Sequence, residues 1–424
     1  MTEAEMREID ALVEKRHEEI VAFMQEIIRI PSVTGNEKPV QEMLIQKLEA
    51  MGLETETWDL DSETLSKHPA YVKESKPYKD RPDLCGIYRS SGKGRSLLFN
   101  GHVDVVPAGD EKVWSHGPWS GDIEDGRIYG RGASDMKSGV VAMTMALKVL
   151  LEEGYRPDGD IIYEYVVDEE DTGNGTLSFV QKGYTANAGI CCETSSMCVQ
   201  PGCLGRVWWS IYVGGKPAGI QKHAEGVSGI DLAYKIVEWV KDFERIRMNE
   251  VKSPIYPDIE SSIPCMVTCV NSGSFCSSFP DSAELKGSLA TVPGEDLQGV
   301  IDSFVRYLTE RACHDPWMKN HLPQIKFDGY MGDSAAIPVD SPIVTTLADN
   351  FTTLLGRRPE ITGRQGAADT RYLINYAKVP TVIFGPGLTE QMHSTDEYVL
   401  EKDLIDAVKI LAATILDWCG YHKA

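Results

Sequence analysis

Six residues of acid or imidazole type fall at the ends of apolar runs: His102, Asp135, Glu169, Glu170, Glu193 and His393, with Asp104 two positions after the first. Two histidines and several carboxylates are the ligand types of a zinc-type catalytic centre. Two cations sharing one carboxylate need about this inventory. Each residue also has a plainer reading. His102 and His393 can be hydrogen-bonded loop histidines, and Asp135, in GRGASDMKSG, can be an ordinary helix N-cap. Glu169 and Glu170, in DEED, can be an exposed turn on an acidic chain. Five clusters after five apolar runs make the joint reading stronger than any single one. Glycines at 130, 132 and 139 allow a sharp turn and close backbone approach around Asp135. Adjacent carboxylates such as Glu169 and Glu170 can divide the work, one holding metal and one moving a proton. No rival signature is present: HEEIV at His17 lacks the second histidine of a zincin helix, and there is no GxSxG elbow or P-loop.

The elements that must position these residues alternate. Apolar periodicity predicts one amphipathic helix over about residues 3 to 29, ended before Pro31, and a second from Pro39 to Met51, stopped at Gly52. SLLFNGHVDVV, DIIYEYVVDEE and AGICCETSS read as strands, with a helix closed by Gly154 between the first two. This is an α/β pattern with a mostly parallel sheet. From Arg206 the order becomes β-α-β-β-α-β, a split βαβ sandwich of its own. After Asp328 the first pattern resumes, ending in a helix over about Leu400 to Tyr421. The expected division is 1–205 and 328–424 for an outer, catalytic domain, with 206–327 inserted as a lid. Residues 59–83 are polar and carry no clear assignment.

The chain has 424 residues and a formal net charge of −22, which argues against nucleic acid and anionic membrane surfaces as partners. No apolar run reaches membrane-span length. The polar, helix-periodic N-terminal stretch lacks the features of a signal peptide. Ten cysteines without an export signal suggest reduced thiols and a cytoplasmic location. Cys265, Cys269 and Cys276 lack a CxxC pair, lie in a strand-like stretch and read as buried thiols rather than a metal cluster.

Taken together, HVDVVP, GRGASDMKSG, VVDEED, CCETSS and MHSTDEYV resemble the M20 metallopeptidase and amidohydrolase family, which includes acetylornithine deacetylase and succinyl-diaminopimelate desuccinylase. The motifs stand in family order and the resemblance spans nearly the whole chain. It implies a zinc-exopeptidase-like catalytic domain with an inserted α+β lid. It also implies two Zn²⁺ ions per subunit, with Co²⁺ or Mn²⁺ as substitutes. His102 and Glu193 would bind one ion, Glu170 and His393 the other, and Asp135 would bridge them. Asp104 would orient His102, and Glu169 would be the general base. The peptide bond between Asp135 and Met136 would be cis. The expected reaction is hydrolysis of the amide of a small N-acylated amine or amino acid. An exopeptidase or dipeptidase is the alternative, and a non-catalytic metal-binding relative a remote one. Pairing of two copies through the lid is a family habit; simple packing of the lid helix on its own sheet is the other reading.

The chain departs from the family in the lid. Where relatives carry a histidine ahead of GVNA, this chain has Gly219, and His223 lies four residues later. His223 is either that histidine on a shifted backbone or a surface residue. Ser277 stands where many relatives have Asn, and Ala290 where several carry a carboxylate-gripping Arg. Losing that Arg removes a bidentate anchor. The GAADTRYL stretch, from Gly366 to Leu373, resembles a substrate-binding segment; Gly366, Arg371 and Ser277 are the substrate-side candidates, with Arg371 the candidate substitute for the missing Arg. A substrate without an amino-acid carboxylate, such as a formylamino-pyrimidine, is therefore compatible with the chain.

Overall fold

The computed structural model describes residues 1–424. They form two compact units. The first comprises Met1–Gly202, Ala336–Arg364 and Ala368–Ala424; the second comprises Cys203–Ala335 and Gln365–Ala367.

The first unit is built on a six-stranded sheet in the order Glu54–Asp59, Pro82–Tyr88, Ile161–Val166, Leu97–His102, Ala188–Cys191, Thr381–Ile383. The last four strands are mutually parallel, and the first two join antiparallel. Leu97–His102 and Ile161–Val166 are buried along their whole length, as strands covered on both faces must be. Alternate residues serve different cores. Leu97 and Phe99 join Val140, Ala146 and Leu411, whereas Leu98 joins Phe179 and Leu373. Helices Ser138–Glu152 and Glu401–Cys419 pack on the Leu97–His102 strand, and Asn174–Lys182 packs on Ile161–Val166.

Two local expectations differ. The N-terminal helix is two helices, Glu3–Lys15 and His17–Ile28, broken at Arg16. The first packs on Glu401–Cys419 and the second on Ser138–Glu152, so the bend lets two apolar stripes reach two partners. The polar stretch after Asp59 holds one short helix, Ser62–Leu65, capped by Asp61, and then the buried strand Pro82–Tyr88. Pro82 opens that strand, one of the places where a missing donor is tolerated.

The second unit carries an antiparallel sheet in the order Cys265–Ser272, Ser282–Thr291, Gly205–Gly214, Gln324–Lys326. Val207, Trp209, Ile211 and Val213 alternate inward and form a core with Leu232, Val240, Phe304 and Leu308 of helices Gly229–Glu250 and Leu297–His314. Both helices start on side-chain caps, Ser228 and Asp296. No helix is long and apolar enough to cross a membrane.

One buried polar row crosses the first unit's sheet. Asn100 donates to Glu164 at 3.0 Å and to Thr176 at 2.9 Å. The second oxygen of Glu164 is buried without a hydrogen bond. Burial, helped by the charge of Asp369 and opposed by the Asn100 hydrogen bond, pushes the Glu164 carboxyl up to about 8. A carboxyl whose folded value lies above its unfolded one stabilises fully below the unfolded value. That contribution is lost as pH rises towards 8, at about 1.4 kcal/mol per unit. Glu164→Gln is therefore expected to gain stability relative to wild type between pH 5 and pH 8 in urea unfolding. A gap independent of pH would contradict this.

Candidate active site

The sheet places its chemistry at one edge. His102 ends the strand Leu97–His102, Glu169 and Glu170 follow Ile161–Val166, and Glu193 follows Ala188–Cys191. His393 lies in the segment after Thr381–Ile383. Asp135 occupies the turn Ala133–Lys137, with extended backbone (φ −118°, ψ 99°). The turn enters through Gly132 at φ +82°, where a Cβ would also come within 2.6 Å of Val105. Past the turn, a Cβ at Gly139 would fall 1.7 Å from the Cys192 carbonyl oxygen. That close approach seats helix Ser138–Glu152 against the Glu193 segment. The Asp135–Met136 peptide is cis.

These residues converge into two groups sharing one member: His102, Asp135 and Glu193, and Asp135, Glu170 and His393. Within each, the ligand atoms lie within 4.8 Å of one another. His102 Nε2 is 3.1 Å from Asp135 Oδ1 and 3.6 Å from Glu193 Oε1. His393 Nε2 is 3.3 Å from Asp135 Oδ2 and 3.0 Å from Glu170 Oε2. Asp135 thus turns one oxygen to each histidine. Glu169 belongs to neither group; its Oε2 is 3.9 Å from His102 Nε2.

The donor set fits a pair of divalent cations. Glu170 Oε1 is buried and takes no hydrogen bond. Burial alone would lower the proton affinity of His102, but Asp135 and Glu193 outweigh it and hold it well above the ordinary imidazole range. Hydrogen bonds to Asp135 and Glu170 push His393 up to about 10. Protons on the two rings would put positive charge where two cations would sit. His102 Nδ1 donates to the Asp104 carbonyl oxygen at 2.9 Å, which leaves Nε2 as the ring atom that could coordinate a cation.

That bond corrects the expectation for Asp104, whose carboxylate Oδ1 stands 3.7 Å from His102 Nδ1. The carboxylate is committed elsewhere. It accepts the main-chain N–H of Glu169 at 3.1 Å and of Glu170 at 3.3 Å, and the Thr34 hydroxyl at 2.9 Å. Asp104 therefore orients the ring through its backbone and the acidic turn through its side chain. The same turn is held from behind by Arg81, whose guanidinium bonds both oxygens of Glu37 and Oδ1 of Asp168. All three side chains are buried; one cation faces two carboxylates, and Asp168 also accepts from the Tyr78 and Thr172 hydroxyls.

Three more buried charged groups, Arg364, Asp369 and Glu397, are not among the expected site residues. Arg364 is buried; its Nη2 is 3.2 Å from Glu193 Oε1, and its Nη1 donates to the Thr194 carbonyl at 2.6 Å. Asp369 accepts from Thr176 at 2.6 Å and is pushed up to about 6 by burial. Glu397 is fully buried and takes hydrogen bonds from the Asp135 turn. Their partners are main-chain groups or residues remote in sequence. Signals exist for two of them: Asp369 lies within GAADTRYL, and Glu397 within MHSTDEYV.

The remaining candidates divide between the units. Arg371 is buried in the first, donating to the Thr172 carbonyl at 3.3 Å and to the Tyr372 hydroxyl. His223, Ser277 and Gly366 belong to the second. His223 lies in the exposed turn Ile220–Glu225, and Ser277 is exposed. The Gly366 carbonyl accepts from Leu204 N–H at 3.0 Å. Ala290 is buried in its strand, and its carbonyl accepts from Arg247.

Comparison with known proteins gives three findings. The sequence profile described as peptidase family M20/M25/M40 matches residues 98–417. A relative from Halalkalibacterium halodurans, named N-formyl-4-amino-5-aminomethyl-2-methylpyrimidine deformylase, is 27% identical over 443 residues, covering 99% of each chain. Among solved structures, a Staphylococcus aureus tripeptidase superposes with a TM-score of 0.72 at 21% identity, over 94% of this chain and 98% of its own. A Bacillus subtilis protein described as a dinuclear metal-binding peptidase of the M20 family superposes at 0.66 and 14% identity, over 96% and 99%.

Proposed function

The chain belongs to peptidase family M20/M25/M40, and from that membership we propose a metal-dependent amidohydrolase that removes an acyl group from a small N-acylated amine, using two zinc ions. The observation that carries the reading is Asp135, with one oxygen towards each of two histidine–carboxylate groups. His102 and Glu193 would complete one ion's ligands, and Glu170 and His393 the other's. The histidine-and-carboxylate donor set favours zinc over hard, all-oxygen cations.

When bound, the cations lower the proton affinity of a water and polarise the amide carbonyl. Glu169 takes the water's proton and returns it to the leaving nitrogen. Its main-chain N–H is fixed by Asp104, so the side chain starts from a defined position. Burial and the charges of Asp369, Glu193 and Glu170 raise its proton affinity above the ordinary glutamate range, against the lowering effect of His102. Arg364, paired with Glu193, offsets part of the negative charge of the centre.

An N-formyl aminomethyl-pyrimidine is the proposed substrate class. It is supported by the name of the Halalkalibacterium halodurans relative and by the buried Ala290 at the position where amino-acid-specific relatives carry Arg. The test is a panel of N-formyl, N-acetyl and N-succinyl amines beside dipeptides. It is run on chelator-treated protein and on protein reloaded with Zn²⁺, Co²⁺ or Mn²⁺. The N-formyl amine should be hydrolysed fastest, with activity lost on chelation and regained on reloading. Preference for dipeptides would make the protein an exopeptidase. No turnover by metal-loaded protein would remove the enzymatic reading.

A further inference from the structure

We propose that Glu397 is a positioning residue for the metal centre: its one carboxylate fixes the turn that carries Asp135 and ties it to the segment that carries His393. The inference rests on the proposed reading of Asp135 and His393 as ligands.

The turn leading into helix Ser138–Glu152 exposes several backbone N–H groups in succession, as a helix start does. No side chain within the turn caps them. Glu397 does so from far along the chain. Its Oε1 accepts from Ser134 N–H at 2.8 Å and Asp135 N–H at 3.0 Å. Its Oε2 accepts from Gly132 N–H at 3.1 Å and from the Arg131 guanidinium at 2.6 Å. Its own carbonyl oxygen accepts from Gly130 N–H at 2.8 Å. The next residue continues the attachment, since Ser134 Oγ donates to the Tyr398 carbonyl at 2.8 Å. The Glu397 carboxylate that takes four of these bonds is buried.

The identity of the side chain is set by chemistry. A carboxylate only accepts, and here each oxygen faces two N–H donors. A carboxamide would present its own N–H₂ to one pair of them. Aspartate, shorter by one methylene, would not span the same distance from an unchanged backbone. The geometric consequence concerns Asp135 and His393 together. Asp135 N–H is bonded directly, and His393 lies four residues before Glu397. Both have a ligand atom in the second group, with Nε2 and Oδ2 separated by 3.3 Å. The first group shares only Asp135 with this clamp. Loosening the clamp should therefore weaken the second site more than the first. Residues behind metal ligands typically change affinity by roughly 10–100-fold.

The test is Co²⁺ titration of the metal-free full chain, wild type against Glu397→Gln, read by visible absorbance, with backbone amide exchange on the same samples. Wild type should take two equivalents. In Glu397→Gln one of the two dissociation constants should rise roughly 10–100-fold and the other much less, with faster exchange confined to residues 130–135. Unchanged constants would overturn the inference, as would an equal loss at both sites with faster exchange throughout, the mark of a merely structural role. Failure of the wild type itself to take Co²⁺ would instead sink the reading of the centre, and this inference with it. If Glu397→Gln does not fold, Arg131→Met probes the same carboxylate from its far side. It should weaken the second Co²⁺ by severalfold, and no change would count against the clamp.

Discussion

Glu169→Gln should lower kcat by roughly 10²–10⁴-fold while metal content stays at the wild-type level. The two effects separate because Glu169 stands outside both ligand groups, although its Oε2 is 3.9 Å from His102 Nε2. Glutamine keeps the shape and the backbone bond from Glu169 N–H to Asp104 but cannot take a proton at neutral pH. KM should change little, since the substitution removes a proton acceptor and leaves the residues that would hold the cations in place. The check is steady-state kinetics on samples whose metal is measured by elemental analysis. A metal-replete variant with near-normal kcat would remove Glu169 from the role of base. If metal is lost as well, Glu169 is a ligand.

Asp135→Ala carries the other large effect. One substitution takes an oxygen from both groups, so both ions should bind at least 100-fold more weakly, an order set by the loss of a ligand shared by two cations. Glu193→Ala and Glu170→Ala, each confined to one group, should each weaken one ion and spare most of the other. Calorimetric titration with Zn²⁺ compares the three. Two tight equivalents remaining in Asp135→Ala would exclude a shared ligand. The Ala variant also leaves Ser134 and Asp135 N–H on Glu397, so the loss can be assigned to the side chain.

Much of the architecture was legible because burial writes itself into sequence. Leu97–His102 and Ile161–Val166 are covered on both faces and read as apolar runs ending in polar residues. Pro82–Tyr88 is just as central but less visible, since Asp83 and Gly86 interrupt its apolar pattern. The break at Arg16 was invisible for another reason: both halves are helical, and only the positions of their partners require the bend. In the site, the residue types that can hold metal announced themselves at strand ends. The groups behind them did not. Glu397, Arg364 and Arg81 act on backbone atoms or on residues brought near only by the fold. Asp104 shows the limit most clearly. Its spacing from His102 is right for an orienting carboxylate, yet the carbonyl does that work and the side chain faces Glu169 and Glu170.

The division of the chain has a consequence for biosynthesis. The inserted unit, Cys203–Ala335 with Gln365–Ala367, is fully translated while the outer one still waits for Ala368–Ala424. At about 5–20 residues per second, that is a delay of seconds. During it the Ala188–Cys191 strand lacks its neighbour Thr381–Ile383, and the Asp135 turn lacks Glu397. A nascent chain stalled near residue 370 would carry a finished insert and, in the outer unit, an open sheet edge, a template for pairing with other chains. Early termination should therefore yield aggregation-prone products in which the group of Asp135 and Glu170 lacks His393.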